Sequence, residues 1–446
     1  MQEDKLKRQL GLGTATALLV GEVIAVGIFL TPAGMAKSLG SPLWLLFVWL
    51  LMGATALCGA LCYGELAARF PEAGGTYVYL REAYGERVSF LYGWMSLLVM
   101  DPGITAALAV GMASYAGYLF TLSGFEQKAI AVSSILVLAL INILGVKPAA
   151  AVMRWLTGLK LAVLVFIPLW GFGFRLGDWS NFTPFVAQKP GSDPLPGALA
   201  GALVAAFFSF GGWWDATKIA GEVRDPARIV PRALAYGVLL VTLVYILTST
   251  VFIYLMPLER VSSGETFAAQ AGELLFGPLG GSIFSSVVIT SILGSMAGII
   301  MAAPRVYYAM ARDRLFWPAA ARLNPRFGTP ARAIMLQAML ASILVLLGTF
   351  DQIIAYFVFV TILFIGLTVS SVFIFRRRQK TERSLSPCAS GYPATPLLFL
   401  ALVSVLLALL AGNNIGQVLF GLAIVAMGVP IYKLISRGKG AGVSET

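Results

Sequence analysis

Long apolar segments dominate this chain and leave it few ways to fold. About twelve of them approach or exceed the roughly 20 apolar residues that a helix needs to cross a bilayer. Only 12% of the 446 residues are charged, whereas 58% are hydrophobic, which is too little charge to cover a water-soluble domain. A span in lipid must satisfy its own backbone hydrogen bonds. The sequence therefore predicts an all-α polytopic membrane protein with twelve transmembrane helices.

The positions of the charges predict how these spans are oriented. Most of the 32 Lys and Arg residues fall in alternate connections, including the one after span 6 with Lys218, Arg224, Arg228 and Arg232. Cytoplasmic connections are enriched in these residues. We therefore expect both termini to be cytoplasmic, and the short tails suggest a prokaryotic inner membrane. Spans 1 to 12 are predicted at residues 11–38, 43–69, 87–120, 127–145, 150–174, 196–221, 231–256, 278–312, 331–350, 352–376, 394–411 and 414–435.

Two spans contain glycine near the middle. Span 1 has Gly27, and span 6 has Gly211 and Gly212. Glycine weakens a helix, and opened backbone at membrane depth is tolerated only where it faces protein or a cavity. Breaks at matching places in two five-span halves indicate inverted repeats with a substrate site between them. Residues 1–446 are thus predicted to form one transporter domain, with repeats at 11–175 and 196–377 and spans 11 and 12 at 394–436.

Two longer segments carry a family resemblance. Residues 64–85, GELAARFPEAGGTYVYLREAYG, resemble the signature between the second and third spans of the amino acid–polyamine–organocation superfamily, and residues 221–233, GEVRDPARIVPRA, resemble its loop after the sixth span. The Gly-Gly-Trp of span 6 and the lysine of span 5 are similar to the L-type amino acid transporter branch. The resemblance covers essentially the whole chain. It implies a LeuT-like fold of 5+5 inverted repeats with spans 1 and 6 broken and two extra helices, and an amino acid substrate.

The two breaks are the predicted substrate site. The N–H groups at the start of the outer half of span 1 suit a substrate carboxylate, because a helix N-terminus carries partial positive charge. The carbonyls of the opened span 6 suit the α-ammonium, and the resemblance makes Phe208 an aromatic gate. The alternative is that the glycines only permit close helix packing and that Phe208 is a core aromatic. The predicted substrate-binding residues are Ala25, Val26, Gly27, Ile28, Phe207, Phe208, Ser209, Phe210, Gly211, Trp213 and Trp214.

The chain departs from the family at two of these positions. The family usually reads Gly-Ser-Gly where this chain has Ala25-Val26-Gly27, so backbone ligands are kept there and a hydroxyl ligand is lost. Trp214 stands where many relatives carry a smaller polar residue, often Asn. The departures bear on which substrate side chain fits.

Lys160 is an isolated cation within span 5. A lone ammonium at membrane depth is costly, so it should face the bundle interior and bond to backbone or hydroxyl groups. The resemblance implies that it takes the place of a sodium ion between spans 1 and 8, with Gly21, Ser291 and Ser295 as partners. This predicts transport without sodium. The alternative is a lysine that snorkels to the cytoplasmic interface.

Three acidic residues lie in apolar surroundings: Glu22, Asp101 and Asp215. Intramembrane carboxylates are candidate functional groups. The chain has no histidine, so Glu22 or Asp101 is a candidate proton carrier, or a partner of Lys160 or of a cationic substrate. Asp101 precedes Pro102 and serves alternatively to satisfy a kinked helix. Asp215 is expected to cap the inner half of span 6.

These observations favour a sodium-independent transporter of neutral L-amino acids that works by alternating access, through exchange or proton symport. A carrier of cationic amino acids or polyamines is the alternative, motivated by the three acids. An enzyme is excluded, because the chain lacks histidine and paired aspartates on facing spans, and we expect no metal ion and no cofactor. Eukaryotic L-type relatives join a glycoprotein subunit through a cysteine between spans 3 and 4. Residues 121–128 contain no cysteine, so no obligatory subunit is expected.

Overall fold

The structure is a computed structural model that describes residues 6–25, 27–256, 272, 277–347, 350–379, 391–413 and 415–441. Strand pairing within these ranges is limited to one isolated bridge between Leu10 and Val223. Ten helical stretches in them are long and apolar enough to cross a membrane, and the apolar helices Leu12–Val23 and Ala331–Leu347 are shorter. The prediction of an all-α polytopic membrane protein is confirmed.

The helices follow the order of the predicted spans. Span 1 comprises Leu12–Val23 and Gly27–Leu39, span 2 is Pro42–Arg69, span 3 runs from Glu86–Met95 through π-helical Ser96–Met100 to Asp101–Phe120, span 4 is Gly124–Ile143 and span 5 is Val146–Gly173. Span 6 comprises Leu195–Phe210 and the 3₁₀ turn Trp213–Thr217, span 7 is Pro226–Leu255, span 8 comprises Gly280–Ala302 and Pro304–Arg312, span 9 is Ala331–Leu347 and span 10 is Phe350–Gln379. Spans 11 and 12 are Ala394–Asn413 and Ile415–Ala441. The division into two inverted repeats stays a prediction.

Local sequence explains where several helices begin. Span 2 starts at Pro42 after Ser41, whose hydroxyl accepts a bond from the Trp44 N–H, since proline is favoured in the first turn and serine at the N-cap. Span 4 starts with a capping box, in which Ser123 and Glu126 each bond the other's backbone N–H.

The signature segment between spans 2 and 3 forms a short helix, Thr76–Tyr84, that anchors the end of span 8. Tyr77 and Arg81 both donate to Asp313 Oδ2, at 2.8 and 2.7 Å. Burial and the neighbouring Asp313 carboxylate raise the pKa of the Tyr77 hydroxyl, so that it remains a hydrogen-bond donor. The resemblance found in this segment therefore corresponds to a structural contact.

The centre of the molecule is built from the most buried spans. Spans 3 and 8 are 72% and 67% buried over their most apolar windows, whereas spans 11 and 12 are 22% and 17% buried and lie at the periphery. The first half of span 1, Leu12–Val23, packs against spans 5, 7 and 8 and the 3₁₀ turn of span 6. Its second half, Gly27–Leu39, packs on Leu195–Phe210. The two broken spans are thus brought together at the centre.

The start of span 1 is tied to the connection after span 6. The N–H groups of Gln9 and Leu10 donate to the Glu222 carbonyl at 2.7 and 2.9 Å, and the Arg224 N–H donates to the Leu10 carbonyl at 2.8 Å. The Glu222 carboxylate reaches span 8, where it accepts from Arg305 Nε at 2.6 Å. Both of these side chains are buried.

Candidate functional site

Span 1 opens in its middle as the sequence predicts. The inner helix ends at Val23, and Ile24 has φ −76° and ψ 76°, outside the helical region. The outer helix begins at Gly27, and Val26 lies outside the described residues. The first N–H groups of a helix have no intrahelical partner, and the helix dipole places partial positive charge there. The break therefore presents donors that suit an anionic group.

Span 6 opens at its glycine pair. The helix ends at Phe210, Gly211 adopts ψ 147°, and Gly212 has φ 101°, a conformation that residues with a Cβ rarely adopt. A 3₁₀ turn then continues from Trp213 to Thr217. The last carbonyls of Leu195–Phe210 lack intrahelical donors and carry partial negative charge. This break therefore presents acceptors that suit a cation.

The two breaks face each other at close range. A Cβ on Gly27 would lie 2.7 Å from Ser209 Cα, so only glycine fits there. The Thr31 and Ser209 hydroxyls are 2.8 Å apart. The Tyr245 hydroxyl of span 7 lies 2.9 Å from the Val23 carbonyl and 2.8 Å from the Ser209 carbonyl, and donates to either. One tyrosine thus holds both broken ends.

A cavity lies between the breaks and spans 3, 8 and 10. Nine of the predicted substrate-binding residues and candidate proton carriers lie on its wall: Glu22, Ala25, Gly27, Asp101, Phe207, Phe208, Ser209, Gly211 and Trp214. Asp215 of span 6, Ile299 of span 8 and Thr361 of span 10 are also on the wall. The Phe207 and Trp214 rings are stacked with centroids 6.3 Å apart. The cavity therefore combines backbone polar groups, aromatic rings and carboxylates.

Three predicted substrate-binding residues lie behind this wall. Ile28 is fully buried away from the cavity. The Phe210 ring packs on Trp49 and Tyr245, with centroids 6.1 and 5.1 Å away. Trp213 packs on Tyr63 of span 2 and Phe399 of span 11, at 5.1 and 6.1 Å. The 3₁₀ turn rotates Trp213 away and presents Trp214, so of this pair only Trp214 lines the cavity.

Lys160 lies where spans 1, 5 and 8 meet, together with the three residues that the sequence paired with it. Its ammonium donates to the carbonyls of Gly21, Ile24 and Ser291 at 2.9, 2.6 and 2.7 Å, and lies 3.1 Å from Ser295 Oγ. The side chain is 1% exposed, so it does not snorkel to the interface. The Ser295 hydroxyl itself donates to the Gly21 carbonyl at 2.5 Å. The ammonium therefore occupies a site built entirely of oxygen ligands.

Asp101 is engaged in a buried network that sequence reasoning missed. Lys218 Nζ lies 2.8 Å from Asp101 Oδ1 and 2.9 Å from Asp215 Oδ1. Ser96 and Tyr307 also donate to Asp101 Oδ2, Tyr307 at 3.3 Å. Asp101 therefore joins spans 3, 6 and 8 rather than serving its own helix or Lys160.

Two sequence-based expectations about this region are wrong. Lys218 was counted with the cations of a cytoplasmic connection, but it is 1% exposed because it turns inward to the two aspartates. Asp215 was expected to cap the inner part of span 6, but the N-cap of that turn is Gly212 and Asp215 pairs with Lys218. The signal available in the sequence was the spacing of Asp215 and Lys218, three residues apart, which favours an ion pair on a helical turn.

Glu22 differs from the other carboxylates. It is 3% exposed, lines the cavity, and neither of its oxygens has a hydrogen-bond partner among the residues that the structure describes. Two glycines leave room for the Glu22 side chain. A Cβ on Gly298 would lie 2.8 Å from Glu22 Cγ, and a Cβ on Gly212 would lie 3.3 Å from Glu22 Cβ. A buried carboxylate without a partner is the most unusual group of the site.

Paired breaks in two spans around a central cavity define the class as a membrane transporter. The chain belongs to the amino acid permease family, whose sequence profile matches residues 10–429. The serine/threonine exchanger SteT of Bacillus subtilis (strain 168) is 33% identical, over 98% of this chain and 99% of that protein.

Two mammalian relatives are also similar over most of the chain. The b(0,+)-type amino acid transporter 1 of Oryctolagus cuniculus is 29% identical, over 85% of this chain and 78% of that protein. The large neutral amino acids transporter small subunit 2 of Homo sapiens is 28% identical, over 96% and 80%. The resemblance to the amino acid–polyamine–organocation superfamily and its L-type branch is confirmed, and the family is one of transporters and not of enzymes.

Proposed function

We propose that this protein is a sodium-independent secondary transporter of neutral L-amino acids that works by alternating access. The observation that carries the proposal is the pair of facing helix breaks, one at a helix N-terminus with its N–H donors and the other at a helix C-terminus with its carbonyl acceptors, on either side of one cavity. A zwitterion carries both charges within a few ångströms. The α-carboxylate binds the N–H groups at the start of Gly27–Leu39, and the α-ammonium binds the last carbonyls of Leu195–Phe210.

The surroundings of Lys160 support independence from sodium. The oxygens of Gly21, Ile24, Ser291 and Ser295 form the kind of site that a hard cation occupies, and the Lys160 ammonium already fills it. A covalently attached cation joins spans 1 and 8 in this conformation without an ion from solution. Transport then needs either a counter-substrate or a proton as its driving species, which leaves exchange and proton symport.

The side-chain end of the cavity supports a neutral substrate of modest size. Phe207, Phe208 and Trp214 contribute three rings to its wall, and Val358 and Thr361 face them from span 10. The names of two relatives, a serine/threonine exchanger and a large neutral amino acids transporter, agree with a neutral substrate. Because Trp214 is so large, we favour small neutral amino acids over aromatic ones.

A second candidate is transport of cationic amino acids or polyamines. One observation favours it. The carboxylates of Glu22, Asp101 and Asp215 line the cavity, and the Lys218 ammonium beside the wall compensates for only one of their three negative charges. A substrate with an extra ammonium would reduce the negative charge that remains in the cavity. Competition of unlabelled lysine or putrescine against a labelled neutral amino acid distinguishes the two candidates.

We further propose that the chain works in a prokaryotic inner membrane with both termini cytoplasmic and without a disulfide-linked subunit. The name of one mammalian relative describes it as a small subunit. In this chain the connection between Asp101–Phe120 and Gly124–Ile143 is three residues long, Thr121–Ser123, and contains no cysteine. That connection offers no thiol for such a link.

Uptake into proteoliposomes tests the proposed function. Purified full-length protein is reconstituted and given labelled serine, alanine, leucine, lysine and putrescine, in sodium and in choline buffer, with and without unlabelled amino acid inside. Uptake of neutral amino acids that is equal in both buffers and absent from protein-free vesicles supports the proposal. Uptake that requires sodium, or that is confined to lysine and putrescine, contradicts it.

A further inference from the structure

Glu22 is the carboxyl group of the cavity that the rest of the protein leaves uncompensated. Among the described residues, Asp101 and Asp215 share the Lys218 ammonium, and Asp101 also accepts from Ser96 and Tyr307. Within the same described part of the chain, neither Glu22 oxygen has a hydrogen-bond partner, although the residue is 3% exposed. Its carboxyl group therefore needs a ligand, and the cavity on whose wall it lies is where that ligand enters.

The charged and titratable groups around Glu22 exclude a protein cation as this ligand. Lys218 and Asp215 face it from span 6, and Lys218 is committed to two aspartates. Lys160 faces it from span 5 and is committed to four oxygens of spans 1 and 8. Asp101 on span 3 adds negative charge. On span 7, the Tyr245 hydroxyl donates its hydrogen bond to the Val23 or Ser209 carbonyl. On span 8, the residue that faces Glu22 is Gly298, which has no side chain to donate.

A carboxylate in this position cannot stay ionised without a cation. Burial of an isolated carboxylate is so unfavourable that the group takes up a proton instead. Taking up that proton makes the Glu22 side chain neutral, which a neutral amino acid substrate cannot do, because the α-carboxylate and α-ammonium of the substrate cancel. A proton is thus the ligand that lets Glu22 remain buried while a neutral substrate occupies the site.

We propose that Glu22 is the proton-binding site of the transport cycle and that its proton crosses the membrane with the amino acid. The inference rests on the proposed function and selects proton symport from its two modes. An O–H bond forms at the Glu22 carboxylate when the cavity is open to the outside, and it breaks to inside water after the substrate has left. No other bond changes.

The packing of Glu22 couples this proton to the movement of the spans. In the proposed alternating access, a bundle of spans 1, 2, 6 and 7 rocks against a scaffold of spans 3, 4, 8 and 9. Glu22 lies on span 1 of this bundle, while Gly298 lies on span 8 of this scaffold. A Cβ on Gly298 would lie 2.8 Å from Glu22 Cγ, so the carboxyl side chain is sealed against the scaffold in this conformation. Rocking of the bundle opens that seam and admits water, which favours the ionised group and releases the proton.

The experiment measures proton entry directly. Proteoliposomes containing the full chain are loaded with the pH indicator pyranine, and L-serine, L-alanine or L-leucine is added outside. Counterflow of the same labelled amino acids at equal pH on both sides reports binding and exchange separately. The variants are Glu22→Gln, which mimics the protonated group, and Glu22→Asp. Asp225→Asn is the matched control, because Asp225 lies in an exposed connection and its left-handed backbone suits asparagine.

In the wild type, entry of a neutral amino acid should acidify the lumen, and an inward proton gradient should raise accumulation at least tenfold. Glu22→Gln should keep counterflow and lose both effects, whereas Glu22→Asp and Asp225→Asn should keep them. The inference is overturned if the wild type carries out counterflow without moving protons, which would leave the proposed function standing as pure exchange.

Three other results also overturn the inference. Gradient-driven accumulation by Glu22→Gln would place the proton elsewhere. Loss of lysine uptake alone in Glu22→Gln would make Glu22 a subsite for a substrate ammonium. Absence of neutral counterflow in the wild type would overturn the proposed function together with the inference.

Discussion

The Lys218 ammonium lies 2.8 Å from Asp101 Oδ1, and this ion pair joins the inner part of span 6 to span 3 in the interior of the protein. Both side chains are at least 96% buried, and Asp215 provides a second carboxylate 2.9 Å from the same ammonium. A buried ion pair need not add stability over an apolar pair of the same shape, but removal of one partner leaves an uncompensated charge. The pair therefore holds the 3₁₀ turn region of span 6 against span 3 in this conformation.

Lys218→Met should lower the stability of the folded protein, because it leaves two buried aspartates without their cation. Loss of one partner of a buried pair typically costs about 3–5 kcal/mol. The thermal unfolding midpoint in detergent measures the effect. Arg228→Met is the matched control: Arg228 is 78% exposed and lies 3.7 Å from Asp225, so we expect a change within about 0.5 kcal/mol. Equal midpoints for the two variants would contradict the structural role of Lys218.

Gly27→Ala should impair uptake strongly, because the new Cβ would lie 2.7 Å from the backbone Cα of Ser209. Side-chain rotation cannot relieve a conflict with backbone, and overpacking of this kind costs about 1–3 kcal/mol. We expect the rate of uptake to fall about tenfold or more.

Gly34→Ala is the matched control for this change, since Gly34 lies on the same helix with nothing within 4 Å of its would-be Cβ. It should keep wild-type uptake. Normal uptake by Gly27→Ala would show that the two breaks do not need their close approach.

Lys160→Ala should abolish uptake in sodium and in choline buffer alike. The change removes the ammonium that the Gly21, Ile24 and Ser291 carbonyls share and leaves them only the weaker neutral donors nearby, at about 1–3 kcal/mol for each buried group that stays unsatisfied. Lys128→Ala removes an exposed lysine that bonds the Leu346 carbonyl and should transport normally. Full transport by Lys160→Ala, or a sodium requirement in the wild type, would refute the fixed-cation interpretation.

Tyr245→Phe should weaken substrate binding while leaving the fold intact. It removes the hydroxyl shared by the Val23 and Ser209 carbonyls, and a hydrogen bond contributes about 0.5–1.5 kcal/mol net, so the KM should rise about 2- to 10-fold. Concentration dependence of uptake measures this. Tyr236→Phe on the exposed face of the same helix is the control and should keep the wild-type KM. An unchanged KM in Tyr245→Phe would show that the broken ends hold their positions without it.

The sequence predicted the fold well because hydropathy alone specifies membrane helices. The predicted span at residues 43–69 compares with Pro42–Arg69, and the one at 231–256 with Pro226–Leu255, where proline in the first turn extends the helix beyond the apolar run. The two breaks were predicted from glycine, whose conformational freedom is visible in sequence. Gly212 uses this freedom, with φ 101°.

The site was harder to predict, because the rotation of each helix determines which of its side chains face the cavity. Trp213 and Trp214 are indistinguishable in sequence, yet the 3₁₀ turn directs Trp213 to Tyr63 and leaves Trp214 at the cavity. Lys218 looks like a cation of a cytoplasmic connection, and only the fold reveals that Asp101, more than a hundred residues earlier, is its partner. The surroundings of Lys160 were predicted more accurately, since a lone lysine in an apolar span must find oxygen ligands in the protein interior or reach the interface.

The short backbone pairing between residues 9–10 and 222–224 has a mechanical consequence. These hydrogen bonds connect the start of span 1 to the segment after span 6. The two helical arms that they join are Leu12–Val23 of span 1 and the 3₁₀ turn Trp213–Thr217 of span 6. A displacement of either arm is transmitted to the other through main-chain hydrogen bonds, which substitutions other than proline leave in place. The two arms are therefore expected to move together, so a spectroscopic label attached near Gln9 reports the displacement of both.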